Sequence, residues 1–180
     1  MRLENKVECK NLKIRIRFKK DVDLSKLKDE NVKVFERNAC IILKRLKTTV
    51  TIYKHSKKTL HVTGIRSAHQ WEEFVKYIFI KLKQCAIEYK VDNSMFSCKM
   101  KENVNLKKIV ETLSSQSPYF CVYTCSIFPA LFLKPKKGFK EKSYPTILIF
   151  RTGSFILLGG KELSTIREVA CFVKNLLNKA

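Results

Sequence analysis

The clearest pattern of apolar and polar positions lies between residues 126 and 161, in the runs SIFPALFLK, YPTILIF and SFILLG. Alternate residues of a β-strand point to opposite faces, so each run is read as a strand with two faces. One face of the last two strands would carry Thr146, Leu148, Phe150, Ile156 and Leu158, and the other Ile147, Ile149, Phe155 and Leu157. Helices on one side of a sheet cover only one apolar face. The pattern therefore predicts a partner for the other face.

The same order of elements occurs earlier in the chain. ACIILK (39–44) and TVTIYKHSKKTLHVTG (49–64), with a following helix, match PALFLK and TILIFRTGSFILLG with its following helix. Upstream, KNLKIRIRF matches DNSMFSCKM, which places Asn11 over Asn93. The separation is 82 positions for Asn11 and Asn93, 97 for Tyr53 and Phe150, and 95 for Gly64 and Gly159. Because the separation changes along the chain, insertions fall between the matched strands. The sequence predicts a tandem duplication with half-domains over residues 1–86 and 87–180.

Two short and two long helices complete the predicted elements. The segments 23–30 and 105–116 are read as short helices, with Asp23 and Asn105 as N-caps. The segments 69–84 and 162–179 have apolar residues at helical spacing, which predicts buried faces. Those faces comprise Trp71, Phe74, Val75, Ile78 and Leu82 in one helix, and Ile166, Val169, Ala170, Val173 and Leu177 in the other. We expect both long helices to pack on one side of the sheet and to present their outer faces to protein partners.

These residues resemble the core domain of the TATA-box-binding protein family. The most specific matches are Phe128-Pro129, the LIF of residues 148–150 and the LLGGK of residues 157–161. The resemblance covers roughly residues 7 to 180 and implies an α+β fold. In that fold two half-domains form a pseudo-twofold saddle with a curved antiparallel sheet. The convex side carries two long and two short helices, and the concave side lies on the minor groove of DNA.

Composition agrees with a polyanionic partner. Thirty-seven Lys and Arg residues stand against sixteen acids, which gives a formal net charge of +21 and a pI near 9.8. An excess of this size exceeds what solubility requires and favours nucleic acid as the partner. The alternative is a lysine-rich surface without a fixed ligand.

The first strand carries a row of cations on the side predicted to face DNA. Asn11, Lys13, Arg15 and Arg17 project to that side, and the three charges would repel each other without an anion nearby. The alternative is a solvated edge strand that its charges protect from pairing. The resemblance makes Asn11 and Asn93 the paired central asparagines of the interface. An asparagine amide can donate hydrogen bonds to adenine N3 or thymine O2 in the minor groove.

The resemblance assigns the family's four wedge phenylalanines to Asn38, Tyr53, Phe128 and Phe150, so only the second-half pair is preserved. Such wedges enter between base steps and kink the duplex. We therefore expect an apolar, kinking second half and a polar, phosphate-binding first half. The alternative for the aromatic residues is core packing, if the alternation is displaced by one residue. The predicted DNA contacts are Asn11, Lys13, Arg15, Arg17, Lys44, Thr51, Tyr53, His61, Thr63, Asn93, Met95, Phe128, Pro129, Lys134, Leu148, Phe150, Ile156 and Leu158.

Basic residues also occupy the ends of the strands. Lys44 and Lys134 match the family's basic strand-end positions, and contact with the DNA backbone is expected rather than base reading. The connection after the first of these strands is short, at residues 45–48. Its counterpart, residues 134–144, contains five lysines. That longer segment is either a phosphate or partner contact or a solvated loop.

No catalytic or cofactor motif is found. His55, His61 and His69 lie near no cysteine or acid cluster with a metal-ligand spacing, and the pair Cys121 and Cys125 lacks a second pair for zinc. Glycine-rich phosphate loops and the nucleophile elbow are absent. We therefore expect no enzyme activity, no cofactor and no metal. The sequence has no run of about 18 apolar residues, so no membrane-spanning helix is expected. The first ten residues lack the apolar core of a secretory signal. The seven cysteines are therefore expected to be reduced thiols.

The resemblance implies a transcription initiation factor that binds and bends A·T-rich promoter DNA. The implied partners are double-stranded DNA, initiation factors like transcription factors IIB and IIA, and the RNA polymerase machinery. The implied location is the nucleus or, for a viral protein, the site of viral transcription in the host cell. One alternative is a protein-interaction module that keeps the fold without reading TATA sequences. The other is a sequence-blind electrostatic binder of nucleic acid.

Overall fold

The computed structural model describes residues 7–30, 32–37, 40–45, 47–100, 102–113, 116–124 and 126–179. Within these ranges the chain forms ten strands, four α-helices and one 3₁₀ turn. The elements in chain order are β1 (Glu8–Phe18), the 3₁₀ turn (Leu24–Leu27), β2 (Lys33–Glu36), β3 (Cys40–Arg45), β4 (Thr48–Tyr53), β5 (Thr59–Ile65), α1 (Ala68–Leu82), β6 (Ala86–Cys98), α2 (Leu106–Thr112), β7 (Tyr119–Val122), β8 (Ala130–Pro135), α3 (Lys137–Glu141), β9 (Thr146–Phe150), β10 (Phe155–Leu158) and α4 (Leu163–Leu177).

The chain divides into two compact units. The first unit is Lys10–Asp92, and the second unit is Asn93–Ala180 together with the described part of Met1–Cys9. Strand β6 is divided between them, with Ala86–Asp92 in the first unit and Asn93–Cys98 in the second. The described strand pairs are antiparallel, and each unit combines them with helices. The predicted α+β class is confirmed.

The core of the first unit lies between the sheet and α1. Its strands are ordered β2-β3-β4-β5-β1, followed by the first half of β6. Ile14 lies opposite Val62 and Ile16 lies opposite Leu60, and all four side chains are buried. Helix α1 contributes Phe74, Ile78 and Leu82 to the same core, as its spacing predicts, while Trp71 and Val75 are half-buried.

The limits of α1 follow from its end groups. The Ser67 side chain accepts a hydrogen bond from the Gln70 N–H at 3.1 Å, which caps the first turn. Lys83 ends the helix in the left-handed conformation, with φ of 51°. The predicted N-caps of the short helical segments are confirmed. Asp23 accepts from the Ser25 N–H at 3.1 Å, and Asn105 accepts from the Lys107 N–H at 3.1 Å.

The core of the second unit lies between its sheet and the helices α2 and α4. The strand order is β6-β10-β9-β8-β7, with the second half of β6 at one end. The α4 residues predicted to face the core are all buried: Ile166, Val169, Ala170, Val173 and Leu177. They form one cluster with the alternate strand residues Leu131, Leu133, Ile147, Ile149, Phe155 and Leu157. One of the two apolar strand faces is thereby covered.

The lysine-rich segment 134–144 is more ordered than a plain loop. Strand β8 extends through Pro135, and the Lys136 N–H donates to the Pro118 carbonyl at 2.9 Å. Helix α3 then occupies residues 137–141, and the Tyr144 hydroxyl donates to the Glu168 carboxylate on α4. Over the described ranges, no helix is long and apolar enough to cross a membrane.

Candidate nucleic-acid interface

The second unit has an apolar sheet surface on the side opposite its helices. Because Ile147, Ile149, Phe155 and Leu157 face the helical core, the residues between them point the other way. The register confirms the predicted alignment of Leu148 with Ile156 on β10, and it also places Leu148 opposite Phe132 on β8. We call this surface the apolar face; its members are Met95, Phe128, Phe132, Thr146, Leu148, Phe150, Ile156 and Leu158.

Three phenylalanines cluster on the apolar face. The ring centroids of Phe128 and Phe132 are 5.2 Å apart, and those of Phe128 and Phe150 are 6.5 Å apart. Phe128 is 39% exposed and lies in the turn before β8, where its N–H donates to the Thr124 carbonyl at 3.1 Å. Pro129 beside it is exposed, and Phe150 is half-buried. Phe128 and Phe150 therefore lie outside the helical core.

The other predicted contacts on this face differ in accessibility. Met95, Ile156 and Leu158 are half-buried, whereas Leu148 is only 7% exposed because neighbouring strands flank it on both sides. Leu148 therefore supports its neighbours and offers little surface of its own. Sequence reasoning missed Phe132, although the alternation from Lys134 indicates it. It also missed Phe120 and Val122 of β7, which are exposed opposite Lys134 and Phe132.

Asn11 and Asn93 have related surroundings in the two units. The side-chain oxygen of Asn11 accepts from the Gly64 N–H at 2.7 Å. The side-chain oxygen of Asn93 accepts from the Ser94 N–H at 2.9 Å and lies 3.9 Å from the position that a Cβ on Gly159 would take. In both side chains the oxygen is bonded to a backbone N–H, so the NH₂ group points away from that bond. That group is a donor only.

The equivalent face of the first unit is polar. Arg15 lies opposite His61, and His61 lies opposite Thr51 on β4. Tyr53 at the end of β4 is partly exposed, and its ring lies 5.2 Å from that of His61, edge to face. We call this surface the polar face; its members are Lys13, Arg15, Arg17, Cys40, Ile42, Lys44, Thr49, Thr51, Tyr53, His61 and Thr63, most of which are polar or charged.

Two of the β1 cations have an anion nearby within the chain itself. Arg15 Nη2 lies 3.0 Å from Asp92 Oδ1, and Arg17 Nη1 lies 3.6 Å from Glu88 Oε2. Both carboxylates come from the first half of β6, which lies beside β1 in the sheet. The repulsion along β1 is therefore relieved within the chain. The side chains of Arg15 and Arg17 remain 40% and 63% exposed.

His61 is a neutral group of the polar face rather than a cation. Burial lowers the pKa of its imidazole, and Lys13 and Arg15 lower it further against the opposing effect of Asp92. Its Nδ1 atom lies 3.9 Å from Asp92 Oδ2 and has no hydrogen-bond partner among the described residues. Near neutral pH the uncharged ring has both a donor and an acceptor.

A cationic basin lies at the β4–β5 hairpin of the first unit. It is a concavity of about 790 Å³ lined by Arg15, Arg17, Asp21, Lys54, His55, Ser56, Lys57, Lys58, Thr59, His61, Glu88 and Lys90. Six of these residues are Lys or Arg, and two are acids. Of the six, Arg15, Arg17 and Lys54 pair with carboxylates, the last with Glu36 at 3.0 Å. The described residues place no carboxylate within 4.0 Å of the side-chain nitrogens of Lys57, Lys58 and Lys90.

The basin hairpin is held by backbone bonds. The carbonyl groups of Lys57 and Lys58 accept from the N–H groups of Val22 and Phe18 at 3.0 and 2.9 Å. The hairpin contains five residues between its strands, whereas the β9–β10 hairpin contains four. Sequence reasoning did not include these lysines. The separation between equivalent residues of the two halves falls from 97 at Tyr53 to 95 at Gly64, which marks an insertion in this hairpin.

The remaining predicted contacts differ in their exposure. Lys44 is exposed, with its Nζ 5.1 Å from the centroid of the Phe35 ring, and Lys134 is exposed on β8. Lys13 is exposed too, whereas two predicted contacts of the polar face are half-buried: Thr51 and Thr63. Asn38 and Cys125 lie outside the described residues. No group of three or more potential metal ligands occurs in the described part of the chain.

Comparisons with known proteins agree with the resemblance stated from the sequence. The family model for transcription factor TFIID (or TATA-binding protein, TBP) matches residues 88–180, just over half of the chain. The solved structure of Methanococcus jannaschii TBP matches with a TM-score of 0.70 and 18% sequence identity, over 97% of this chain and 99% of that chain. A comparison with curated proteins found no match. The structural likeness shows the fold, and the family match confirms the resemblance. This chain belongs to the TATA-binding protein family of DNA-binding transcription factors.

Proposed function

We propose that this chain is a non-enzymatic transcription initiation factor that binds A·T-rich duplex DNA through the minor groove and bends it. The observation that carries this proposal is the apolar face of the second unit. Phe128, Phe132 and Phe150 cluster there outside the helical core, and no described element of that unit covers them. Apolar side chains of this kind act as wedges that unstack base steps in minor-groove complexes.

The polar face of the first unit has a different role in this proposal. Threonine hydroxyls and the NH₂ group of Asn11 are donors suited to the acceptors on the floor of an A·T-rich minor groove. The cationic basin would hold backbone phosphates with Lys57, Lys58 and Lys90, and the exposed portions of Arg15 and Arg17 would add to it. The two units therefore make different contributions: one deforms the duplex, and the other attracts and positions it.

The proposed partners follow from family membership. They are initiation factors like transcription factors IIB and IIA and the RNA polymerase machinery, in the nucleus or, for a viral protein, at the site of viral transcription in the host cell.

We infer that the duplicated halves meet between residues 86 and 87, at the start of β6. The division into compact units falls later in the same strand, between Asp92 and Asn93.

The test combines selection with a bend measurement. Duplexes are selected from a random pool at about 150 mM salt, where exposed charges are strongly screened, and bending of the selected duplex is measured by energy transfer between dyes at its ends. The proposal expects enrichment of A·T-rich sites and a bend of tens of degrees. A sequence-blind binder would show no enrichment and a steep loss of affinity with salt. A pure interaction module would not bind duplex at this salt concentration.

The basin yields a prediction about salt dependence. A Lys57→Ala/Lys58→Ala variant should weaken binding to all duplexes to a similar extent, since phosphate contacts carry no sequence information. The slope of log affinity against log salt should become shallower by about 0.9 for each phosphate that the variant no longer neutralises, or about 2 if both lysines bind phosphate. Fluorescence anisotropy titrations between about 50 and 200 mM salt measure the slope.

A matched variant separates local contact from net charge. Lys107→Ala/Lys108→Ala removes two adjacent exposed lysines from α2, which do not line the basin. Its salt slope should stay close to that of the wild type. Equal slopes for the two double variants would show that the hairpin does not contact phosphate.

A further inference from the structure

Asp92 and Glu88, both on β6, place carboxylates beside the cations of the polar face, and Asp92 is the one that also lies near His61. Its Oδ1 atom accepts from Arg15 Nη2 at 3.0 Å, and its Oδ2 atom lies 3.9 Å from His61 Nδ1. The side chain is 22% exposed. Since Arg15 and His61 are opposite each other on β1 and β5, Asp92 lies on the polar face and not on the side of the helices.

The duplication makes this carboxylate specific to one half. The alignment that places Asn11 over Asn93 places Lys10 over Asp92. The residue before the central asparagine is therefore a cation in one half and an acid in the other. If both positions served only to attract DNA, a carboxylate would be unfavourable at either of them, because phosphate repels it.

The chemistry of the minor groove suggests what such a carboxylate can recognise. A·T pairs present only acceptors there, at adenine N3 and thymine O2, whereas a G·C pair adds the donor N2–H₂ of guanine. An ionised carboxylate only accepts hydrogen bonds and has about four lone-pair sites, one of which is taken by Arg15. Asp92 therefore repels an A·T pair and is complementary to guanine.

We propose that Asp92 is a specificity-determining residue that selects a G·C pair at one position within an otherwise A·T-rich site. The proposal rests on the proposed minor-groove function. The neighbouring Asn93 carries the opposite preference, because its NH₂ group donates to the acceptors that A·T pairs present.

The experiment uses the selected A·T-rich duplex with one base pair at a time replaced by G·C or by inosine·C. Inosine lacks the 2-amino group, so the two pairs differ in the minor groove by that donor. For the wild type, we expect one position at which G·C is bound about five- to tenfold more tightly than inosine·C, the lower range for one direct contact. In Asp92→Asn, this ratio should fall towards one.

The Asp92→Asn variant should also change its two affinities in opposite directions. Loss of the negative charge should raise affinity for the all-A·T duplex, and loss of the acceptor should lower affinity for the G·C duplex. A folding defect would lower both, and thermal unfolding provides an independent check. Glu72→Gln is the matched control: it removes an exposed carboxylate from α1, which belongs neither to the polar face nor to the basin, and it should leave the ratio unchanged.

The outcomes separate this proposal from the proposed function. If the wild type bends A·T-rich duplexes but prefers G·C over inosine·C at no position, the selective role of Asp92 is refuted and the function stands. The same conclusion holds if Asp92→Asn keeps the wild-type ratio. If no duplex is bent or enriched, the proposed function itself fails.

Discussion

Replacing Gly64 with alanine is expected to destabilise the protein by about 4 kcal/mol or more, a loss at the upper end of the range for single substitutions. Gly64 has φ of 93°, a region that residues with a side chain rarely adopt. A Cβ added there would also collide with the backbone carbonyl of Lys47. The collision cannot be relieved locally, because the Gly64 N–H and C=O are bonded to Asn11 and Gln70.

The duplication supplies the control for this effect. Gly159 is the equivalent residue in the second unit, with φ of 94°, but the nearest atom to an added Cβ is Asn93 Oδ1 at 3.9 Å. Gly159→Ala should therefore cost only the conformational strain, about 1–3 kcal/mol. Urea unfolding of both variants by circular dichroism measures the difference. Trp71 is the chain's one tryptophan and reports on the first unit by fluorescence. Equal losses for the two variants would show that the Lys47 carbonyl moves away.

A Phe128→Ala or Phe150→Ala variant is expected to lose most of the DNA bend that the proposed function requires. Burial of a phenylalanine side chain contributes about 1.5–3 kcal/mol, and in this setting that free energy opposes the cost of unstacking a base step. Without the wedge, the duplex should remain close to straight. Affinity for the selected duplex should fall about tenfold or more. Energy transfer between end-labelled dyes reports the bend, and anisotropy reports the affinity.

The control for this prediction is a phenylalanine that is exposed elsewhere. Phe79 on α1 is 54% exposed, so Phe79→Ala removes a similar ring without changing the apolar face. It should keep both the bend and the affinity. If Phe128→Ala binds and bends as the wild type does, the apolar face is not the surface that deforms DNA. The midpoint of thermal unfolding shows whether either variant is unfolded at the assay temperature.

Local sequence patterns predicted the parts of the fold that depend on near neighbours. The pairing of Leu148 with Ile156 follows from alternation around a tight turn, and the buried side of α4 follows from helical spacing. Asp23 and Asn105 were recognisable as caps because a cap bonds to residues two or three positions along the chain. The internal repeat indicated the two halves, and the family resemblance supplied the fold that they form.

The parts that escaped prediction depend on contacts between distant segments. Arg15 and Asp92 are 77 positions apart, so nothing in the alternation of β1 indicates that its charge is paired. Leu148 was expected to offer surface, but its burial depends on strands that flank it on both sides. The hairpin lysines were missed because charge alone does not distinguish a solvated turn from one whose carbonyl groups are bonded to β1 and the segment after it.

The uncovered apolar face also has a consequence for handling the protein in solution. With a formal charge of +21, copies of the chain repel each other at low ionic strength. Concentrated salt, the usual means of stripping nucleic acid from a basic protein, shortens the range of that repulsion to a few ångströms and strengthens apolar association when the salt is a sulfate. Purified, nucleic-acid-free protein is therefore most prone to aggregation under the conditions that make it free of nucleic acid, and duplex DNA should act as its solubilising agent.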